Sequence, residues 1–287
     1  MTTINRGHER SEARSAEESR SPAPLRIALA QFEPSVDPVE NAARVGDFAQ
    51  RAAAAGARLL VLPEGSLVRF LDDPEAAVRA AQPVDGEFGA AVVDASREYE
   101  IAVAAGMFTP HESRARNTLL VADRGELTAV YHKVHLYDAF SYLESDLIEP
   151  GSDSPPVVDI DGVPVGFATC YDLRFPELFR VLADRGAQVL AIASAWVAGP
   201  LKEEHWFTLL RARAIENTSY VVAADQCGRK GIGRSAGFDP MGLPLLDLGT
   251  AAGALGFVDV SPDRIAEARR TLPALAHRRF HIDEQPR

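Results

Sequence analysis

Cysteine is scarce in this sequence, with only Cys170 and Cys227 among 287 residues. Two cysteines cannot build a disulfide framework, and neither belongs to a CxxC pair. No cluster of histidine and cysteine has the spacing of a zinc site, so we expect no metal. Because the first residues also lack the apolar core of a secretory signal, the sequence predicts a reducing compartment, the cytoplasm.

An excess of basic charge and a long apolar run are also missing. The chain has 30 Lys and Arg against 41 Asp and Glu, a formal net charge of −11 at pH 7. A nucleic-acid surface would show as a basic excess or stripe. No apolar run approaches the roughly 20 residues of a membrane span. The sequence therefore argues against nucleic acid and membrane as partners.

The N-terminal residues 1–24 differ in composition from the rest of the chain. They are polar, rich in Ser, Glu and Arg, and have no periodic apolar face, so we expect a disordered tail. The whole chain is 46% hydrophobic, which is enough for one large core. We therefore expect residues 25–287 to form a single domain.

Apolar periodicity predicts strands and helices along this domain. Residues 25–32 alternate as a strand, an amphipathic helix follows Pro38 through Ala55, and residues 58–62 form the next strand of a parallel unit. Further strands are predicted at residues 101–107, 117–122, 127–131, 163–169, 189–193, 220–224, 234–238 and 255–260, and further helices at 88–99, 175–185 and 203–216. The strands divide into an early and a late set. Helices covering both outer faces would give an α/β fold, a four-layer α-β-β-α sandwich.

Cys170 lies where the strand at residues 163–169 gives way to the helix at residues 175–185. Pro176 suits the first turn of that helix. Backbone N–H groups at a helix start are unpaired and carry partial positive charge, so they would lower the pKa of a thiol and hold a developing oxyanion. The alternative is that Cys170 is a small buried hydrophobe, as most free cysteines are.

Two other strands end in charged residues that would complete a catalytic site. Glu64 follows the strand at residues 58–62, and Lys133 follows the strand that begins at Leu127. In α/β sheets, functional groups gather at the carboxyl ends of strands. Cys170 would attack an amide carbon while Glu64 takes the thiol proton, and Lys133 would stabilise the oxyanion together with the backbone N–H of Tyr171.

Three ordered motifs resemble those of the nitrilase superfamily of carbon–nitrogen hydrolases. They are Pro63-Glu64, the segment HKVHLYD at residues 132–138, and the segment CYDLRFPEL at residues 170–178. The similarity extends through Ser194-Ala195-Trp196 and residues 213–217, 237–242 and 277–279, and spans residues 25 to about 280. Within the superfamily the chain resembles the amidase branch, which includes ω-amidase and deaminated-glutathione amidase.

The resemblance implies the α-β-β-α fold, a homodimer and no cofactor. It also implies a role for Glu144, which matches a second acidic residue that orients the lysine in many members. Nitrile-hydrolysing members typically carry tryptophan and glutamate after the cysteine, whereas this chain has Tyr171-Asp172. The resemblance therefore favours a small linear carboxamide, cleaved to carboxylate and ammonia through a Cys170 thioester.

Three residues are candidates for binding the acyl part of the substrate. Arg174 either pairs with a substrate carboxylate, as relatives that act on ω-amides of dicarboxylic acids imply, or forms a structural ion pair with an acid such as Glu177. Trp196 and Phe140 either line the pocket or pack in the core. The loop from Asp138 to Glu144 is shorter than in ω-amidase and deaminated-glutathione amidase, so the exact substrate stays open.

The same residues are compatible with other functions. An N-carbamoyl-amino-acid amidohydrolase would use the same groups on a ureido carbon and release carbon dioxide as well as ammonia. A nitrilase, or a catalytically silent scaffold that keeps the fold for oligomeric binding, is a further alternative. Product analysis and a panel of short amides separate these functions.

Overall fold

Two six-stranded β-sheets form the centre of the computed structural model, which describes residues 24–282. The tail predicted at residues 1–24 lies, apart from Pro24, outside the described residues. The strands are β1 (Leu25–Gln31), β2 (Leu59–Val61), β3 (Ala102–His111), β4 (Arg114–Asp123), β5 (Glu126–His132), β6 (Asp138–Ala139), β7 (Tyr142–Leu143), β8 (Val157–Ile160), β9 (Val163–Thr169), β10 (Val189–Ser194), β11 (Tyr220–Asp225), β12 (Ala236–Phe238), β13 (Pro244–Asp247) and β14 (Ala254–Val260).

Helices lie between these strands in sequence. They are α1 (Pro38–Ala54), α2 (Ala76–Arg79), α3 (Glu87–Glu98), α4 (Pro176–Asp184), α5 (Lys202–Asn217) and α6 (Pro262–Thr271). Asp37 caps α1 by accepting a hydrogen bond from the N–H of Val39, and proline occupies the first turn of α1, α4 and α6. Short 3₁₀ turns span Glu144–Asp146 and Cys170–Arg174.

Each sheet has a parallel centre and antiparallel edges. The first sheet has the order β14-β1-β2-β3-β4-β5, and the second has the order β13-β12-β11-β10-β9-β8. Strands β1, β2 and β3 run parallel, as do β9, β10 and β11, whereas the outer strands pair antiparallel. The parallel β1-α1-β2 unit predicted from sequence is thus confirmed.

Side-chain alternation along β1 shows how the layers arise. Ile27 and Leu29 join an apolar cluster shared by both sheets, whereas Ala28 and Ala30 join a cluster that includes residues of α1 and α3. A third cluster joins the outer face of the second sheet to α4 and α5. Helices therefore cover both outer faces of the paired sheets, and the four-layer α-β-β-α sandwich is confirmed.

Some elements differ from the sequence prediction. Strands β8 and β13, the β6-β7 hairpin and the helices α2 and α6 were not predicted. Helix α6 is mostly polar and buries only Ile265 and Ala268, so its apolar periodicity is weak. The predicted helix at residues 175–185 begins at Pro176, because the chain first makes the 3₁₀ turn at Cys170–Arg174. Within residues 24–282, no helix has the length and apolar character needed to span a membrane.

Candidate active site

Glu64, Lys133 and Cys170 meet at one end of the two sheets. Glu64 follows β2, Lys133 follows β5 directly, and Cys170 follows β9 directly. All three are buried, with 2%, 2% and 7% of their surface exposed, and all three line a cavity of about 360 Å³. The two sheets therefore bring together residues that are far apart in sequence.

Cys170 occupies a constrained backbone position. Its φ of +44° lies in the left-handed region, which costs a non-glycine residue about 1–2 kcal/mol. The N–H of Thr169 donates a 2.9 Å hydrogen bond to Oδ2 of Asp172, which helps hold the corner. The structure therefore exposes the thiol to the cavity at a strained turn, a feature often found at functional sites.

Burial raises the pKa of the Cys170 thiol well above its usual range, and the negative charge of Glu64 raises it further. The ammonium of Lys133 acts in the opposite direction but does not outweigh these effects. Lys133 thus lowers the pKa of the thiol as expected, but the expectation of a net lowering at the start of the helix is wrong. Burial favours the neutral thiol, so a base must remove the proton before or during attack.

Lys133 lies between two carboxylates. Its Nζ donates to Oε1 of Glu64 at 2.9 Å and to Oε2 of Glu144 at 2.8 Å. Burial opposes the charged ammonium, but the charges of Glu144 and Glu64 raise the pKa of Lys133 well above its ordinary value. The side chain is therefore a fixed positive charge beside the thiol.

Glu64 is held by two donors that follow strands of the second sheet. Its Oε2 accepts a 2.9 Å hydrogen bond from the N–H of Ala195, and its backbone carbonyl accepts one of 2.7 Å from Nε2 of Gln226. Gly106 in β3 permits this position, because a Cβ there would lie only 2.7 Å from the Cα of Glu64. Close backbone approach thus fixes where the carboxylate enters the cavity.

Glu144 begins the 3₁₀ turn of the long loop that follows Lys133. Its Oε2 accepts a 2.7 Å hydrogen bond from the N–H of Tyr137 as well as the bond from Lys133. Glu144 is 6% exposed and lines the cavity. Nearby Tyr142 has its pKa raised to about 12, first by burial and then by the charge of Glu144. The loop therefore supplies the second carboxylate next to the ammonium.

Arg174 faces the cavity. Its guanidinium lies 4.7 Å from the ring centroid of Trp196 and 5.7 Å from that of Tyr171. Its Nε and Nη2 atoms are buried without a hydrogen-bond partner, and within residues 24–282 it forms no ion pair with Glu177. Arg174 therefore lies in the wall of the pocket and not in an ion pair with Glu177.

The two predicted aromatic residues differ in their surroundings. Trp196 is 3% exposed, lines the cavity and also packs against Trp206 at a centroid distance of 5.2 Å, so it belongs to both pocket and core. Phe140 is 65% exposed and lines the cavity from the tip of the β6-β7 hairpin, where its φ is +54°. Phe140 is therefore not a core residue.

Lys202 was missed by the sequence prediction. It lies at the start of α5, donates a 2.7 Å hydrogen bond from Nζ to the Tyr137 hydroxyl and places Nζ 3.7 Å from the ring centroid of Phe140. Burial lowers the pKa of Lys202, and the charge of Arg174 lowers it further. The one signal in the sequence was that this lysine follows Ser194-Ala195-Trp196 by six residues.

Asn117 and Asp172 were also missed as site residues. Asn117 in β4 donates from Nδ2 to Oε1 of Glu64 at 2.8 Å and to Oε1 of Glu144 at 3.2 Å. Asp172 is fully buried and lies 2.8 Å from Nδ1 of His135 and from the hydroxyl of Tyr131. A polar residue inside an apolar strand or corner was the available signal for both. Within residues 24–282, no group of three or more His, Cys, Asp or Glu side chains is placed to hold a metal ion.

Comparison with known proteins relates the chain to one family. The carbon–nitrogen hydrolase family model matches residues 26–270. The chain is 39% identical over 255 residues to deaminated glutathione amidase of Escherichia coli O157:H7, covering 88% of this chain and 97% of that protein. It is 42% identical over 269 residues to a hydrolase of Mycobacterium tuberculosis, covering 88% and 94%.

A solved amidase structure is similar in fold. It is a variant of the amidase from Nesterenkonia sp. AN1 that carries the acetamide moiety of fluoroacetamide covalently at its active-site cysteine. The TM-score is 0.71 with 28% sequence identity, covering 90% of this chain and 98% of that chain. The similarity therefore extends over nearly the whole described region.

Proposed function

The chain belongs to the carbon–nitrogen hydrolase family, and from this premise we propose that Cys170, Glu64 and Lys133 are the catalytic residues of a thiol-dependent amidase. The enzyme is a hydrolase of C–N bonds other than peptide bonds and cleaves a small linear carboxamide to a carboxylate and ammonia. The observation that carries the proposal is the Lys133 ammonium, fixed between Glu64 and Glu144 and lining the same cavity as the Cys170 thiol.

The first half of the reaction forms a thioester. Glu64 removes the proton from the Cys170 thiol as sulfur attacks the carboxamide carbon, which gives a tetrahedral intermediate. Glu64 then donates this proton to the nitrogen, the C–N bond breaks, and ammonia leaves. Because burial raises the pKa of the thiol, proton removal and attack are expected to be concerted.

The second half hydrolyses the thioester. Glu64 takes a proton from water as the water oxygen attacks the acyl carbon. The second tetrahedral intermediate collapses, the S–C bond breaks, and the proton returns to sulfur, which releases the carboxylic acid. Glu64 thus serves as base and acid in both halves, and Glu144 keeps Lys133 in place without a proton transfer of its own.

The oxyanion of both intermediates requires positive charge. The Lys133 ammonium supplies it, together with the N–H of Tyr171, which lies in the first turn of the 3₁₀ helix that begins at Cys170. Both donors are fixed before the substrate arrives. Stabilisation of this kind usually makes the largest single contribution to acyl-transfer catalysis.

We propose that the acyl group of the substrate carries a carboxylate. Arg174 and Lys202 line the cavity, and neither forms an ion pair with a carboxylate of residues 24–282. An anionic substrate group would supply the missing partner. The relative from E. coli O157:H7 is named for an amidase of deaminated glutathione, which supports an anion-bearing amide.

An N-carbamoyl amino acid is the second candidate substrate, because it too would offer a carboxylate to Arg174 and Lys202. We further propose that the enzyme works as a homodimer in the cytoplasm, as the family resemblance and the two-cysteine composition indicate. Light scattering coupled to gel filtration measures the oligomeric state, and a monomer would contradict the dimer.

A substrate panel tests the proposed function. The purified enzyme is incubated with glutaramate, succinamate, butyramide and N-carbamoyl-β-alanine, and ammonia, carboxylate and carbon dioxide are measured. We expect ammonia from the ω-amides without carbon dioxide, and a covalent acyl adduct on the Cys170 peptide after an acid quench. Carbon dioxide release would identify the carbamoyl activity, and no turnover of any compound would contradict the amidase.

A further inference from the structure

Asn117 contacts each of the three charged residues at the base of the cavity. Its Nδ2 donates to Oε1 of Glu64 at 2.8 Å and to Oε1 of Glu144 at 3.2 Å, and its backbone carbonyl accepts a 2.9 Å hydrogen bond from the N–H of Lys133. Asn117 is 1% exposed and is not among the residues that line the cavity. It therefore touches the charged groups from behind.

The charges at this position do not balance. Two buried carboxylates, Glu64 and Glu144, share the single ammonium of Lys133, which leaves one net negative charge in a site of low dielectric constant. Two carboxylates that contact the same ammonium repel each other unless further donors lie between them. The amide of Asn117 supplies donors to both carboxylates without adding charge. The amide thus reduces the repulsion between the two carboxylates, as a second cation would. Lys133 stays the one positive charge among these four residues.

The two oxygens of Glu64 consequently have different surroundings. Oε1 accepts hydrogen bonds from both Lys133 and Asn117, whereas Oε2 accepts one from the N–H of Ala195. Each carboxylate oxygen has about two lone-pair sites, so Oε1 is saturated and Oε2 retains one. We infer that Asn117 is a positioning residue that occupies Oε1 of Glu64, so that Oε2 receives the proton of Cys170.

This inference rests on the proposed function, because it assigns a proton acceptor for the amidase reaction. Replacing Asn117 by Asp keeps the size and shape of the side chain but removes both donors and adds a carboxylate. Asn217 provides a matched control. It is also fully buried, donates from Nδ2 to one acceptor, the carbonyl of Arg213, and has an unpartnered Oδ1 like that of Asn117, but it lies at the far end of α5.

The experiment measures kcat and KM for glutaramate from pH 5 to pH 9 in wild type, Asn117→Asp and Asn217→Asp. At neutral pH we expect Asn117→Asp to lower kcat about 10- to 100-fold. KM should change less than about threefold, because Asn117 does not line the cavity. As the pH falls, the new carboxyl facing Glu64, Glu144 and Lys133 gains a proton and regains one donor. The ratio of variant to wild-type kcat should therefore rise toward acid pH.

A structural role alone would not produce this pH dependence. A ratio that stays flat with pH, a kcat within about twofold of wild type, or an equal loss in Asn217→Asp overturns the inference. If Asn117→Asp does not fold, Asn117→Ser tests the same loss of the amide donors without new charge, and an unchanged kcat overturns the inference there.

Two measurements test the amidase activity and the role of Asn117 separately. If wild type hydrolyses no amide in the panel, the amidase proposal fails. The role of Asn117 is then tested by the rate at which iodoacetamide alkylates Cys170. Mass spectrometry of the Cys170 peptide measures this rate. We expect slower alkylation in Asn117→Asp than in Asn217→Asp, and equal rates overturn the inference alone.

Discussion

The hydroxyl of Tyr131 donates a 2.8 Å hydrogen bond to Oδ2 of Asp172, and this contact joins the two segments that carry the lysine and the cysteine. Tyr131 lies in β5, two residues before Lys133, and Asp172 follows Cys170 by two residues. The same Oδ2 accepts the N–H of Thr169. A buried carboxylate that is hydrogen-bonded to neither side chain in these contacts therefore links the segments that carry the ammonium and the thiol.

Tyr131→Phe tests this connection. The change removes one hydrogen bond to a buried carboxylate, so we expect the free energy of unfolding to fall by about 1.5–3 kcal/mol. We also expect kcat to fall severalfold with little change in KM. The segments that carry the Lys133 ammonium and the Cys170 thiol lose a hydrogen bond that holds them together. Urea unfolding and steady-state kinetics measure both effects.

Tyr220→Phe is the matched control for that prediction. Tyr220 is also buried, but its hydroxyl accepts a 3.4 Å hydrogen bond from the N–H of Ser261, and neither residue lines the cavity. We expect its loss to leave kcat unchanged. A Tyr131→Phe enzyme with wild-type kcat would show that the contact stabilises the fold alone.

Cys170→Ala should abolish turnover and retain the fold. The thiol is the proposed nucleophile, and the void left by one sulfur atom is small, so we expect a change in unfolding free energy of about 1 kcal/mol or less. Cys227→Ala is the control, because Cys227 is also buried but does not line the cavity. Amide hydrolysis that persists in Cys170→Ala would refute the nucleophile assignment.

Arg174→Met and Lys202→Met should change substrate preference. If these cations bind a substrate carboxylate, each change lowers kcat/KM for glutaramate about 10- to 100-fold and leaves butyramide within about threefold. Arg211→Met is a control, because Arg211 also lies over an aromatic ring, that of Phe238, but is exposed on α5 outside the cavity. An equal loss for both amides would remove the carboxylate role.

Glu64 and Lys133 should have opposite effects on the reactivity of the Cys170 thiol. Burial and the charge of Glu64 raise the pKa of Cys170, and the charge of Lys133 lowers it. We therefore expect the midpoint of the pH profile for alkylation by iodoacetamide to move to lower pH in Glu64→Gln and to higher pH in Lys133→Met. Shifts of the same sign in both variants would contradict the electrostatic assignment.

The raised pKa of Cys170 also predicts how stability depends on pH. A thiol that holds its proton more tightly when folded stabilises the protein below the pKa of the unfolded chain, near 8.5, and this contribution is lost as the pH rises through the higher folded value. Wild type should therefore lose more unfolding free energy than Cys170→Ala between about pH 8 and 10. Urea titrations across that range measure the difference, and parallel losses would contradict the prediction.

The layer architecture was readable from sequence because it depends on local periodicity. In β1, Ile27 and Leu29 alternate with Ala28 and Ala30, and this alternation predicted the strand. The two sets face different clusters, so the folded structure buries both faces of the strand. Helix α6 shows the limit of this signal. Only two of its residues are buried, and packing onto the strands, rather than its own apolar pattern, decides that it forms.

The sequence by itself determined the strand and helix layers, the order of the Glu64, Lys133 and Cys170 motifs and the chemical class to which they point, because these depend on residue types at short spacing. Only the tertiary structure decided which further residues join them. Asn117 meets Glu64 across 53 residues, and Lys202 meets Tyr137 across 65, so no local pattern connects either pair. The burial that raises the pKa of Cys170 is likewise a property of the closed cavity, since it arises only when both sheets exclude water from the thiol.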